Sequence, residues 1–151
     1  MRNTSFILTL FAIFLISASS NKLFAQSGQE LVDICGMVAG EDAMYLKDFQ
    51  VKLDAAGPGE EPPVARYSVV LSKNTEYLFT ICNSNDYSGQ AVFSLYDNNR
   101  LLSTNYNIAT GQSYPKVSFK CSSTGVYHIW ITFKEGEQGL AVALLSFVKK
   151  L

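Results

Sequence analysis

Between residues 45 and 148, apolar side chains recur at every second position in short runs broken by turn-forming residues. A period of two places alternate residues on opposite faces of a strand, so each run predicts a strand with one face toward a core. The clearest case is 116–121, where Val117, Phe119 and Cys121 alternate with Lys116, Ser118 and Lys120. Similar runs occupy 45–53 (Phe49, Val51, Leu53), 66–71 (Tyr67, Val69, Leu71), 76–82 (Tyr77, Phe79, Ile81) and 90–96 (Ala91, Phe93, Leu95). Leu101 and Leu102 follow the Asp97-Asn98-Asn99 turn, and later runs fill 126–133 (Tyr127, Ile129, Ile131, Phe133) and 140–148. Between the first two lies 55–63, whose glycines and prolines cannot pair in a sheet. Glu135-Gly136-Glu137-Gln138-Gly139 is expected to close a hairpin. Seven or eight short strands at this spacing predict a mainly β fold, an antiparallel, jelly-roll-like β-sandwich.

Ahead of the strands the pattern differs. Ser27-Gly28-Gln29-Glu30 reads as a capping box that opens a helix. Leu31, Ile34 and Cys35 would share one face, and Gly36 would end it. A helix of two to three turns cannot stand alone and needs a docking face. Trp130 lies on the outer parity of its strand, so the expected arrangement sets Leu31 and Ile34 over it.

The first 25 residues have another character. Arg2 precedes an apolar run over 6–18, broken only by Thr9 and Ser17. As a helix it would reach about 20 Å, short of a bilayer core of about 30 Å. Leu23-Phe24-Ala25 follows as a processing site, so a signal peptide over 1–25 with cleavage after Ala25 is expected. The ending Leu-Phe-Ala-Gln resembles export signals of the Bacteroides–Flavobacterium group. Residues 26–151 would then form a single β-sandwich domain, periplasmic or secreted, with no stable membrane span after cleavage.

Composition matters once the chain is divided in this way. Residues 26–151 hold 10 basic and 13 acidic side chains, a net charge of −3. That balance excludes a nucleic-acid partner, which calls for a surplus of Lys and Arg. Cys35, Cys82 and Cys121 all fall in this part, in an expected compartment where disulfides persist. Three cysteines allow at most one internal bridge and leave one thiol, and spacing does not choose the pair.

Chemistry-bearing motifs are scarce. The chain has no Gly-x-Ser-x-Gly elbow, His-Glu-x-x-His or glycine-rich phosphate loop. The one histidine, His128, has no ligand partner at a zinc-binding spacing, and no cofactor or metal is expected. A thiol-dependent activity at an unpaired cysteine would need His128 beside it. Parity sets His128 with Trp130 on the outer face, while Cys121 faces inward. Trp130 and His128, together with Tyr87, Tyr106 and Tyr114 in predicted loops, are the candidate ligand-binding residues, since exposed rings stack on sugars or pack on proteins.

Three segments carry a family likeness. Arg66-Tyr67-Ser68-Val69-Val70-Leu71-Ser72-Lys73-Asn74-Thr75-Glu76-Tyr77-Leu78-Phe79 resembles the strand, polar turn and Tyr-containing strand that open bacterial pre-peptidase C-terminal-type sandwiches. Phe93-Ser94-Leu95-Tyr96-Asp97 is similar to their leucine–aspartate strand, and Thr124-Gly125-Val126-Tyr127-His128-Ile129 to their late Thr-Gly-x-Tyr strand. Together they span about residues 66–148. The resemblance implies a non-catalytic accessory module for secretion, adhesion or carbohydrate contact. The reading from sequence is therefore an exported, non-enzymatic sandwich that binds a protein or cell-envelope component. A carbohydrate-binding module and a thiol-dependent enzyme are the alternatives.

Overall fold

The computed structural model describes residues 27–151. The expected signal peptide and its cleavage site lie outside the described residues. A helix, α1 (Gly28–Ala39), is followed by β1 (Met44–Leu53), β2 (Ala65–Leu71), β3 (Thr75–Asn83), β4 (Ala91–Asp97) and β5 (Arg100–Thr104). A small hairpin of β6 (Tyr106–Asn107) and β7 (Gln112–Ser113) leads to β8 (Lys116–Cys121), β9 (Gly125–Phe133) and β10 (Gly139–Lys150).

Eight strands form two four-stranded antiparallel sheets, one ordered β1-β10-β3-β8 and the other β2-β9-β4-β5. Ranked along the chain, they run first–eighth–third–sixth and second–seventh–fourth–fifth. Successive strands thus cross between sheets except at β4–β5, which gives the double Greek key of a jelly roll. The β4–β5 hairpin turns at Asn98, whose φ of 52° suits an asparagine. The Glu135–Gly139 stretch does not close a hairpin: it carries the chain from β9 in one sheet to β10 in the other. Turn-formers mark where a strand ends and say nothing about which sheet comes next. Gly139 is needed there because a Cβ would run into the buried Phe133 ring.

The core lies between the sheets. Phe79 and Phe93 meet across it with ring centroids 4.7 Å apart, and both are fully buried. Around them pack Phe49, Val51, Ile81, Val117 and Leu145 from one sheet and Leu71, Leu95, Ile129, Ile131 and Phe133 from the other. All but Leu145, whose strand was given no inward face, are residues that the alternation placed inward. Cys121 is also inward and buried, beside Tyr127, whose hydroxyl donates to the Ser123 carbonyl at 2.6 Å. Burial first, and then the Cys121 thiol, push the Tyr127 phenol up to about 12 from its ordinary 10.0. An unfolded tyrosine ionises near 10, so this phenol's contribution is complete below pH 10 and is lost as pH rises toward 12. Tyr127→Phe is expected to cost about 1 kcal/mol at pH 7, for the lost hydrogen bond. It should also flatten the alkaline fall in stability, read from urea unfolding at neutral pH and above pH 10. Equal alkaline slopes in the two proteins would refute this assignment.

Helix α1 opens as predicted, with the Ser27 hydroxyl accepting from the Glu30 amide at 3.1 Å. It does not stop at Gly36 but continues to Ala39, and Gly40 takes the positive φ of 96° that ends it. Its apolar side, Leu31, Val32, Cys35 and Ala39, packs on Leu78, Cys82, Leu140, Val142 and Leu144. The helix therefore covers the outer face of the β1-β10-β3-β8 sheet, and not Trp130, which belongs to the other sheet. Contiguous apolar rows on β10 and β3 decide the docking face, whereas the residues paired with or next outward from Trp130 on its sheet, Arg66, Ser94 and Thr132, are polar. A disulfide between Cys35 and Cys82 fixes the helix, leaving Cys121 as the free cysteine.

Candidate functional site

The two sheets differ on their outer faces. One is closed by α1, and the other, β2-β9-β4-β5, has no helix over it among the described residues. Strand register sets out what this open face carries. Val70 stands opposite Val126, and Ser68, His128, Tyr96 and Leu101 form the next row across the sheet. Arg66, Trp130, Ser94 and Thr104 form the row beyond. The aliphatic members are well exposed, Val70 at 68%, Val126 at 54% and Leu101 at 50%. Antiparallel sheets commonly leave one face to water, but that face is then mostly polar. Here apolar and aromatic side chains share it.

Trp130 is the centre of this face. The Arg66 guanidinium lies 4.7 Å from the indole centroid, and the Tyr96 ring lies 4.7 Å away at a 40° tilt. Arg66 and Tyr96 come from strands β2 and β4, which flank β9 on opposite sides. Such contacts stabilise by about 0.5–1 kcal/mol each at exposed sites and hold the ring in one orientation. His128 Nδ1 and the Ser68 hydroxyl share a hydrogen bond at 3.1 Å. Arg66, Tyr67, Ser68, His128 and Trp130, with Asn98 and Asn99 from the β4–β5 turn, line an open groove of about 550 Å³. Tyr67 is tied back by donating to the Gln50 carbonyl at 3.2 Å.

The structure thus brings Trp130 and His128 together and places Tyr87, Tyr106 and Tyr114 elsewhere, with Tyr106 in strand β6 and not in a loop. Tyr87 has Lys52 over its ring at 5.7 Å, and Tyr106 has Lys134 at 5.5 Å. Tyr114 is exposed and donates to Gln112 at 3.2 Å. None of the three lines the Trp130 groove. Arg66 and Tyr96 were missed by sequence reasoning, which tracked rings by parity within one strand. Their link to Trp130 depends on the register between strands. Cys121 and His128 lie on opposite faces of the sandwich wall, so they do not form a thiol–imidazole pair.

A second concavity, about 810 Å³, runs between α1 and β1, with Val32, Met37, Tyr45 and Leu144 beside Asp33, Glu41 and Asp48. Its acids are partly occupied: Asp48 accepts from the Tyr45 hydroxyl at 2.6 Å and from Gln50 at 3.2 Å, and that bond raises the Tyr45 pKa. Among the described residues no cluster of three or more His, Cys, Asp or Glu stands together as a metal site. Among them, too, no helix is long and apolar enough to cross a membrane.

No protein-family model matches the chain, and no curated protein matches it. A solved structure that does match is that of Aeromonas hydrophila PliG, a periplasmic lysozyme inhibitor of g-type lysozyme. The two are 12% identical with a TM-score of 0.51, over 69% of this chain and 87% of that one. At that identity the likeness is one of fold.

Proposed function

We propose that this protein is an exported, non-enzymatic β-sandwich whose open sheet binds a protein of the cell envelope. The observation that carries the reading is the asymmetry of the sandwich. One outer face is sealed by a disulfide-fastened helix, while the other presents Trp130, Tyr96, Val70, Val126 and Leu101 to solvent. Apolar surface kept exposed in this way marks an interaction site, and tryptophan, tyrosine and arginine are the residues that dominate such sites. The Cys35–Cys82 bridge suits an oxidising compartment, as does the signal-like start of the chain. The fold shared with an inhibitor described as periplasmic, and the likeness to pre-peptidase C-terminal-type sandwiches, point the same way. A sugar platform has less support, because Arg66 and Tyr96 already pack on the indole and Tyr87, Tyr106 and Tyr114 lie apart from it.

A photo-crosslinking residue at Val126 tests the reading. In envelope extract it is expected to give discrete protein adducts. Trp130→Ala should reduce them by roughly 30-fold, the effect of removing a central anchor of about 2 kcal/mol. Met37→Ser, on the exposed side of α1, should leave them unchanged. Adducts insensitive to Trp130→Ala, or none at all, would count against the open face.

A further inference from the structure

Of the donors that line the open groove, Ser68 and His128 bond to each other and Tyr67 to the Gln50 carbonyl, while the Arg66 guanidinium has no carboxylate. Arg66 takes part in neither of the ion pairs found among the described residues, which join Arg100 to Asp97 and Lys149 to Glu76. Its partner is the Trp130 ring. A cation–π contact consumes none of the guanidinium's N–H donors, and these form the fork that takes a carboxylate by two parallel hydrogen bonds. Around it stand Ser68, His128, Asn98 and Asn99, and no aspartate or glutamate lines the groove. Asp97, in the adjoining turn, is already held by Arg100 at 3.4 Å. In a domain with a net charge of −3, this groove is a local island of positive charge and hydrogen-bond donors.

We propose that the groove seats a carboxylate side chain, an aspartate or glutamate presented on an apolar surface of a protein partner. The inference rests on the reading of the open sheet as a protein-binding face and adds the chemistry of the partner. Arg66 supplies the fork, and Val70, Val126 and Leu101, in the rows beyond it along the same face, receive the apolar residues that flank the acid. Burial of the pair under the partner's own apolar surface is what makes a charged hydrogen bond at an interface strong. A uronic acid offers the same carboxylate. It lacks the apolar flank that the valines match, and Arg66 and Tyr96 already pack on the indole on which its ring would stack.

The test selects a displayed random peptide library on the protein spanning residues 26–151, with Arg66 variants kept out of the selection and used only to score the peptides it yields. Arg66 is exposed, so its variants should fold, which circular dichroism checks. Each selected peptide is made with its acid and with the matching amide, then titrated through the fluorescence of Trp130, the chain's one tryptophan. The expected peptides carry Asp or Glu beside apolar residues. The amide twin, Arg66→Gln and Arg66→Lys should each weaken binding about tenfold or more, since lysine keeps the charge but loses the fork. Val126→Asp should abolish it. Peptides that bind regardless of the acid and of Arg66, yet fail on Val126→Asp, would remove the carboxylate and keep the protein-binding face. A library that yields nothing Val126→Asp rejects, or tighter binding of oligogalacturonate than of any peptide, overturns both.

Discussion

Replacing Cys35 and Cys82 together by alanine is expected to lower the unfolding free energy by about 4 kcal/mol. The bridge joins residues 47 apart in sequence. On the chain-entropy model, opening a loop of that length returns about 4 kcal/mol of freedom to the unfolded state. Alanine is the right replacement because Cys35 is fully buried, and serine would add a hydroxyl with no assured partner. The effect should not be uniform over the molecule. Helix α1 has 12 residues, too few to persist unaided, so it depends on the bridge and on the packing of Leu31 and Val32 over Val142 and Leu144. In the double variant its amides should exchange faster than those of β9, which lies in the other sheet. Urea unfolding should show a lower midpoint at similar slope. Reductant should shift the wild type by a similar amount and leave the double variant unmoved. A loss below about 1 kcal/mol would mean that the unfolded chain is restricted by something other than the bridge. Thiol titration fixes the chemistry independently, with one thiol in the denatured protein and three after reduction.

The same elements indicate how far the fold can be read without coordinates. Where one face meets the core and the other meets water, alternation suffices. Lys116, Ser118 and Lys120 against Val117, Phe119 and Cys121 located β8 and its inner face together. β10 breaks the alternation because it is buried on both sides: Ala141, Ala143 and Leu145 face the core, while Val142 and Leu144 face the helix. That double-sided apolar run was the available signal for where α1 docks, reinforced by Leu78 and Cys82 on the neighbouring β3. A single large ring at 130 was the weaker guide, since its cross-strand neighbour Ser94 and the next outer residue on its own strand, Thr132, are polar. The groove was legible only in part. His128 and Trp130 share a parity on one strand, but Arg66 and Tyr96 come from strands far away in sequence. A register slip of one residue would turn either of them into the core. The pairing in space, not the composition, makes the stack.

Asn105→Leu is expected to cost about 3 kcal/mol and to loosen the edge of the open sheet. β5 pairs with β4 only as far as Thr104, opposite Ser94, which leaves Ala91 and Phe93, paired with β9 on one side, without a strand on the other. Asn105 takes that place. Its Oδ1 accepts from the Phe93 amide at 2.8 Å, its Nδ2 donates to the Ala91 carbonyl at 3.2 Å, and its own amide donates to the Phe93 carbonyl at 3.3 Å. One buried side chain thus completes a ladder that the backbone leaves unfinished. Leucine keeps the shape and removes both side-chain bonds. The Phe93 N–H loses its partner, and the Ala91 carbonyl loses one, where little water can reach, at about 1–3 kcal/mol each. Exchange of the Phe93 amide should accelerate more than that of Ile129, in the middle of the same sheet. Asn105→Asp gives a second readout with a definite sign. A buried aspartate beside the Ala91 carbonyl is held neutral, so its folded pKa rises above the ordinary carboxylate value. The variant should therefore approach wild-type stability below about pH 4 and lose it as pH rises toward 7. If both variants unfold like the wild type and the Phe93 amide stays protected, the β6–β7 hairpin shields this edge instead. In that case Asn105 is dispensable, and the rigidity of β4, which carries Ser94 and Tyr96 to the indole of Trp130, has another source.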